Sequence, residues 1–134
     1  MAILKDQFWF RKGDYQSEAL PETVSKTEVE KKEDKKLYCI NCKQHITNIE
    51  QAISINGTCR HIFTNPAGFV YTVNCYETAT ACVAIGERTE EYTWFPGYQW
   101  QIVLCQFCQL QLGWLFSNST QFYAFIEDRL TQIN

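Results

Sequence analysis

Two short motifs in this chain place sulfur atoms where a metal ion could be held. Cys39-Ile40-Asn41-Cys42 and Cys105-Gln106-Phe107-Cys108 each set two thiols at the tip of a tight turn, and two such turns supply the tetrahedral sulfur set that zinc favours. The interval between them is far longer than in a small zinc ribbon. One structural zinc held by Cys39, Cys42, Cys105 and Cys108 would therefore staple sheets together rather than close a finger, and its loss would loosen both. Four thiolates leave no open position for water, which argues against a catalytic metal. A redox dithiol, or plain core cysteines, is the competing reading of either pair. His45 and His61 are substitute ligands that four cysteines make unnecessary, and Cys59, Cys75 and Cys82 read as small buried apolar side chains.

The second chemistry-bearing pattern is aromatic. Trp94-Phe95-Pro96-Gly97-Tyr98-Gln99-Trp100 precedes the second cysteine pair and Leu112-Gly113-Trp114-Leu115-Phe116 follows it. A hairpin folded at that pair brings Trp100 and Trp114 to similar height on neighbouring strands, where cross-strand side chains meet. Strict alternation puts Trp100, Ile102 and Leu104 on one face of the incoming strand, and Leu110, Leu112, Trp114 and Phe116 on one face of the outgoing strand. The Pro96-Gly97 turn can fold Trp94 back over the pair. The result is an aromatic box beside a metal, and its bland competitor is ordinary core packing.

These patterns need a framework of strands. From Leu37 onward the chain reads as strand and turn, with Asn56-Gly57 as a hairpin signal and Asn65-Pro66-Ala67-Gly68 as a longer turn. Phe69, Tyr71, Val73 and Cys75 alternate with Val70, Thr72, Asn74 and Tyr76, as in a strand buried mainly on one face. Ala81 to Ile85 is another short strand. Phe122, Phe125, Ile126, Leu130 and Ile133 follow helical spacing after a possible cap at Ser119 or Thr120, which predicts a short C-terminal helical segment with a strand as its rival. Ser17 to Lys36 is dense in charge and poor in large apolar groups, so residues 1–36 read as a flexible, charged tail and 37–134 as the domain. Phe8, Trp9, Phe10 and Tyr15 form a separate aromatic patch that could dock on the domain or on another copy.

Composition narrows the function classes. The chain has 134 residues, 46 % hydrophobic and 15 % aromatic, enough for one domain with a core. A net charge of −3, with no basic cluster beside the aromatics, argues against DNA or RNA. Met1 to Phe10 is interrupted by Lys5 and Asp6 and does not read as an export signal, and no run is long enough for a membrane helix. Seven cysteines is an odd count for a disulfide framework. The expectation is a cytoplasmic protein with reduced thiols, a metal, and no nucleic-acid or membrane partner.

From about Leu37 to the end, the chain resembles the CULT domain, the thalidomide-binding domain found in cereblon and in short stand-alone bacterial relatives; the resemblance is to the stand-alone, bacterial type. It rests on Tyr38-Cys39-Ile40-Asn41-Cys42, Asn65-Pro66-Ala67-Gly68-Phe69, the Trp94 to Trp100 segment, Cys105-Gln106-Phe107-Cys108 and Leu112 to Phe116, in that order and spacing. The resemblance implies a mostly β fold, a β-tent of two antiparallel sheets pinned by a four-cysteine zinc site, with the pocket in the second sheet. It also implies that Trp94, Trp100 and Trp114 wall a cage for a cyclic imide, that Phe116 is its floor, and that Asn65 and Pro66 lie on a covering loop. The main chain through Tyr92, Thr93 and Trp94 would accept from the imide N–H and donate to an imide carbonyl. Tyr92 and Ala67 stand where cereblon has histidines; the first contact is through the main chain, while the second bears on the protruding part of a ligand. The chain has no Lon-like domain and no room for a ligase-adaptor segment, so ligase-complex partners and substrate-receptor activity are not implied.

The leading reading is thus a non-enzymatic binding module for glutarimide or thalidomide-like ligands, uracil-like rings, or peptides bearing a C-terminal cyclic imide. Three indoles provide flat apolar walls, and a main-chain edge reads one donor and one acceptor. At roughly 1 kcal/mol per heavy atom, a glutarimide ring of about eight atoms would bind near micromolar. A methylammonium cage using Glu90 and Glu91 is one rival. A zinc-containing methionine sulfoxide reductase is another, but no cysteine follows Cys108 to act as its nucleophile. A nucleoside hydrolase lacks a carboxylate or histidine within the cage motifs.

Overall fold

The computed structural model describes residues 35–133. The charged segment before Lys35 and the aromatic patch of Phe8, Trp9, Phe10 and Tyr15 lie outside the described residues. Among the described residues nine strands follow in chain order: β1 (Lys36–Cys39), β2 (His45–Asn48), β3 (Arg60–Thr64), β4 (Val70–Tyr76), β5 (Cys82–Thr89), β6 (Gln99–Cys105), β7 (Gln111–Ser117), β8 (Gln121–Ile126) and β9 (Leu130–Thr131). They build two antiparallel sheets, one of six strands in the order β3-β4-β8-β7-β6-β5 and one of three in the order β9-β1-β2.

The larger sheet is apolar on both faces, and each face has its own cluster. Tyr76, Val103, Cys105, Leu112, Leu115 and Phe125 pack with Leu37, Cys39 and Ile46 of the smaller sheet. The alternate residues Val73, Cys75, Trp114, Phe116, Phe122, Ala124 and Ile126 form the second cluster with Phe95. Period-2 alternation thus divides each strand between the inter-sheet core and an aromatic face.

The turns obey their local chemistry. Asn56 and Gly57 both have positive φ, 53° and 93°, closing Ile55 onto Thr58 as a two-residue hairpin turn. At the β3–β4 turn the Asn65 side-chain oxygen accepts from the amides of Ala67 and Phe69 at 3.0 and 2.9 Å.

Two sequence expectations change in detail. The short C-terminal helical segment is a single 3-10 turn, Glu127–Arg129, and Phe122, Phe125 and Ile126 lie in strand β8, with Leu130 in β9. Both faces of β8 are buried, so apolar residues fall at closely spaced positions and imitate a helical period. Leu112 also leaves the face shared by Trp114 and Phe116. The β6–β7 register shifts between Val103 and Leu104, and the bulge turns Leu112 into the inter-sheet core.

Candidate ligand cavity and metal centre

The two Cys-x-x-Cys turns have the same backbone construction. In the first, which joins β1 to β2, the Lys43 amide donates to the Cys39 carbonyl at 2.9 Å and the Cys39 amide to the Gln44 carbonyl at 2.8 Å. In the second, joining β6 to β7, Gln109 donates to Cys105 at 3.0 Å and Cys105 to Leu110 at 2.8 Å. Lys43 and Gln109 sit at equivalent positions with φ of 66° and 68°. Each turn closes a hairpin of a different sheet, so the sulfurs meet where the sheets approach.

Cys39 and Cys108 sulfurs lie 3.6 Å apart, Cys42 and Cys105 sulfurs 3.5 Å, and all four fall within 4.8 Å of one another. Tetrahedral thiolate ligation at about 2.3 Å per bond separates sulfurs by about 3.8 Å, so the set can hold a metal ion. Its acid–base balance points the same way. Burial pushes the Cys39 thiol up. The Gln44 amide pulls Cys42 down, but burial and the thiols of Cys105, Cys108 and Cys39 outweigh it and raise Cys42 to about 12. A hydrogen bond from the Asn41 side chain holds Cys108 at about 6. Four thiolates cannot share this volume without a cation among them.

On the opposite face of the larger sheet lies a cavity of about 290 Å³, lined by Asn65, Pro66, Tyr71, Tyr92, Trp94, Trp100, Ile102, Gln111, Trp114 and Phe116. The rings of Trp94 and Trp114 meet at 4.7 Å and 69°. Phe63 stacks on Trp94 at 4.8 Å and 12°, and Tyr71 meets Trp114 edge-on at 5.1 Å. Phe95 is 1 % exposed and sets its ring edge-on to Phe63, Phe116 and Phe122 beneath the loop that carries Trp94. That loop is braced internally, because the Glu91 amide donates to the Thr89 hydroxyl and the Thr93 amide to the Glu90 carbonyl. The Trp100 indole N–H donates to the Glu91 carbonyl at 2.7 Å, and the Trp94 indole N–H to the Thr64 carbonyl at 3.4 Å.

The Tyr92 carbonyl and the Trp94 amide make no hydrogen bond among the described residues. Two main-chain groups of opposite polarity thus stand unpaired where Tyr92, at φ 59°, bends the loop over the cavity. Thr93 faces elsewhere, its hydroxyl spanning the amide and carbonyl of Phe95, both at 3.3 Å. Trp94, Trp100, Trp114, Phe116, Tyr92, Asn65 and Pro66 are brought together; Thr93 is not among the lining residues.

Tyr71, Ile102 and Gln111 line the cavity without having been singled out as site residues in the sequence. Tyr71 and Ile102 lie on the faces that alternation assigns them. Gln111 depends on the bulge, for which the sequence carries no signal. Among the described residues no carboxylate lines the cavity, and Glu91 contributes only its carbonyl. The three cysteines outside the metal cluster are held as thiols: burial raises Cys59, pushes Cys75 up to about 12 and Cys82 up to about 11. A nucleophilic cysteine needs the reverse shift. No helix among the described residues is long and apolar enough to cross a membrane.

No family model matches the chain. It is similar to proteins named cereblon from several flies: 36 % identical over 89 residues to that of Drosophila willistoni, 34 % to that of Drosophila persimilis and 33 % to that of Drosophila virilis. In the first, the match covers 63 % of this chain and 14 % of the relative, so the chain spans only a small part of the curated proteins it matches. Over those 89 residues, the chain is similar to one part of cereblon.

Proposed function

We propose that this domain is a non-enzymatic receptor for cyclic imides, with one structural zinc held by Cys39, Cys42, Cys105 and Cys108. The observation that carries the reading is the pairing of a three-indole cavity with an unpaired main-chain carbonyl at Tyr92 and amide at Trp94. An imide presents an N–H flanked by carbonyls, so one donor and one acceptor of the ring can be read by one acceptor and one donor of the loop. Flat indole walls take the apolar remainder of the ring. Glutarimide-like rings, uracil-like rings and C-terminal cyclic imides of peptides share this edge. A methylated ammonium would need a carboxylate at the cavity, and neither Glu90 nor Glu91 supplies one.

The test is a titration of the metal-loaded protein with glutarimide, followed by tryptophan emission. The expected result is saturable quenching or a spectral shift near micromolar to sub-millimolar ligand, lost in Trp100→Ala and in Trp114→Ala. Unchanged emission together with no detectable binding at millimolar glutarimide would remove the reading. Tetramethylammonium, run in parallel, should not compete.

A further inference from the structure

Two thiols that belong to neither the metal centre nor the cavity face each other at the base of the β3–β4 ribbon. Arg60 pairs with Asn74, and one step further along the ladder the Cys75 amide donates to the Cys59 carbonyl at 3.0 Å. Cys59 and Cys75 are therefore direct cross-strand partners, and their side chains leave the same face of the sheet. The Cys59 thiol already reaches across to the partner strand, where it donates to the Cys75 carbonyl at 3.3 Å. Both are free thiols.

Hydrogen-bonded partners on antiparallel strands hold their Cα atoms about 5.5 Å apart, inside the range that a disulfide accepts. Their Cβ atoms, about 5 Å apart, would have to close to about 4 Å. Strand β3 can supply that movement, because it is an edge strand and pairs with β4 alone among the described residues. Cys75 is completely buried and Cys59 half-buried, so a dissolved oxidant meets Cys59 first. Burial keeps both groups as thiols near neutral pH, which makes their exchange slow and distinguishes the pair from a catalytic dithiol.

A bond between these sulfurs would close off residues 60–74, a ribbon of fifteen residues. That ribbon forms one side of the aromatic site. Phe63 stacks on Trp94 at 4.8 Å, the Thr64 carbonyl accepts from the Trp94 indole at 3.4 Å, and Asn65, Pro66 and Tyr71 line the cavity. Tying a loop at its ends removes many of its open conformations, so the bond would hold this side of the site against fraying from the sheet edge.

We propose that Cys59 and Cys75 form a reversible disulfide site that locks the β3–β4 ribbon under oxidising conditions. With glutathione disulfide as the oxidant, the Cys59 thiolate attacks one glutathione sulfur, the S–S bond breaks, and the first glutathione leaves as a thiolate and takes up the proton that Cys59 lost. Cys75 then gives up its proton, attacks the Cys59 sulfur and displaces the second glutathione, which takes up that proton. Two protein thiols are oxidised, and one glutathione disulfide is reduced to two glutathiones.

The experiment holds the full-length, zinc-loaded protein in glutathione disulfide at about pH 8, where more thiolate is present. The intact mass should fall by that of two hydrogens, and non-reducing peptide mapping should join Cys59 to Cys75 with zinc retained. Amide exchange across residues 60–74 should slow by about tenfold or more and recover on addition of reduced glutathione. In Cys59→Ser and in Cys75→Ala, glutathione disulfide should leave the exchange of these amides unchanged. A map without the bond between Cys59 and Cys75, a bond that forms only as zinc is released, or a bond that leaves exchange unaltered would overturn the site. None of these readouts uses a ligand, so failure of the disulfide and failure of imide binding are separate results.

Discussion

Trp100 has two tasks that a phenyl ring would separate. Its ring walls the cavity, and its indole N–H holds the Glu91 carbonyl at 2.7 Å, fixing the loop that presents the Tyr92 carbonyl and the Trp94 amide. Trp94 depends less on its own N–H, whose 3.4 Å bond is long, and more on the Phe63 ring stacked behind it. Trp100→Phe keeps an apolar wall and frees the loop. We expect a stability loss of only ~1 kcal/mol, one net hydrogen bond, in urea unfolding, but a roughly tenfold weaker glutarimide affinity because the reading edge is no longer preorganised. An affinity drop no larger than in Phe63→Leu would place the effect in ring packing instead. At this scale much was legible: Trp, Pro-Gly and Cys-x-x-Cys carry their chemistry in their side-chain types. Gln111 was not, because a glutamine gains meaning here only from the backbone that aims it.

At the scale of elements, alternation served well where one face of a strand is buried and poorly where both are. β4 and β6 read correctly as strands because their two sets of residues differ in burial. β8 imitates a helix because Phe122 and Ile126 serve one core and Phe125 the other. The β7–β8 pairing also contains the tightest backbone constraint among the described glycines. A Cβ on Gly113 would lie 2.1 Å from the Ala124 carbonyl oxygen and 2.8 Å from the Phe125 Cα. Both are main-chain atoms, so relief requires the strands to part beside Trp114. Gly113→Ala should cost about 3 kcal/mol, at the upper end of ordinary overpacking, and weaken imide binding through displacement of Trp114. Gly97→Ala is the contrasting case, with open space around its Cβ but a φ of +92°. It should cost only ~1 kcal/mol in local strain. Chemical denaturation of the two variants side by side checks the order, and equal losses would contradict the steric account.

For the described domain as a whole, apolar burial and a metal at the four cysteines would hold the sheets by different chemistries, and pH separates them. Burial, and then the neighbouring Cys59, raises the Cys75 thiol from 9.0 to about 12, and burial likewise raises the Tyr76 hydroxyl. Groups whose folded pKa lies above the unfolded value favour the fold while protonated. That contribution is complete below about pH 9 and is lost as pH rises toward 12. The melting temperature should fall steadily from about pH 9 to about pH 11, with a shallower fall in Cys75→Ala. The acid limb belongs to the metal cluster, whose thiolates must be deprotonated to bind. Because one knuckle closes the β1–β2 hairpin and the other the β6–β7 hairpin, an ion held by the four sulfurs would cross-link sheets that otherwise meet through the core around Leu37, Cys39 and Ile46. Chelation, or acidification below about pH 5, should therefore reduce amide-exchange protection in β1, β2, β6 and β7 together. The aromatic cluster around Phe95 and Phe122 includes none of the four metal-site cysteines, so β4 and β8 should retain more protection. The cost should stay well below the ~10–16 kcal/mol of domains that fold only around their metal, since two apolar clusters persist. Elemental analysis should give one zinc per chain before chelation. Loss of protection in one hairpin with the other unchanged would show that the four sulfurs do not share an ion.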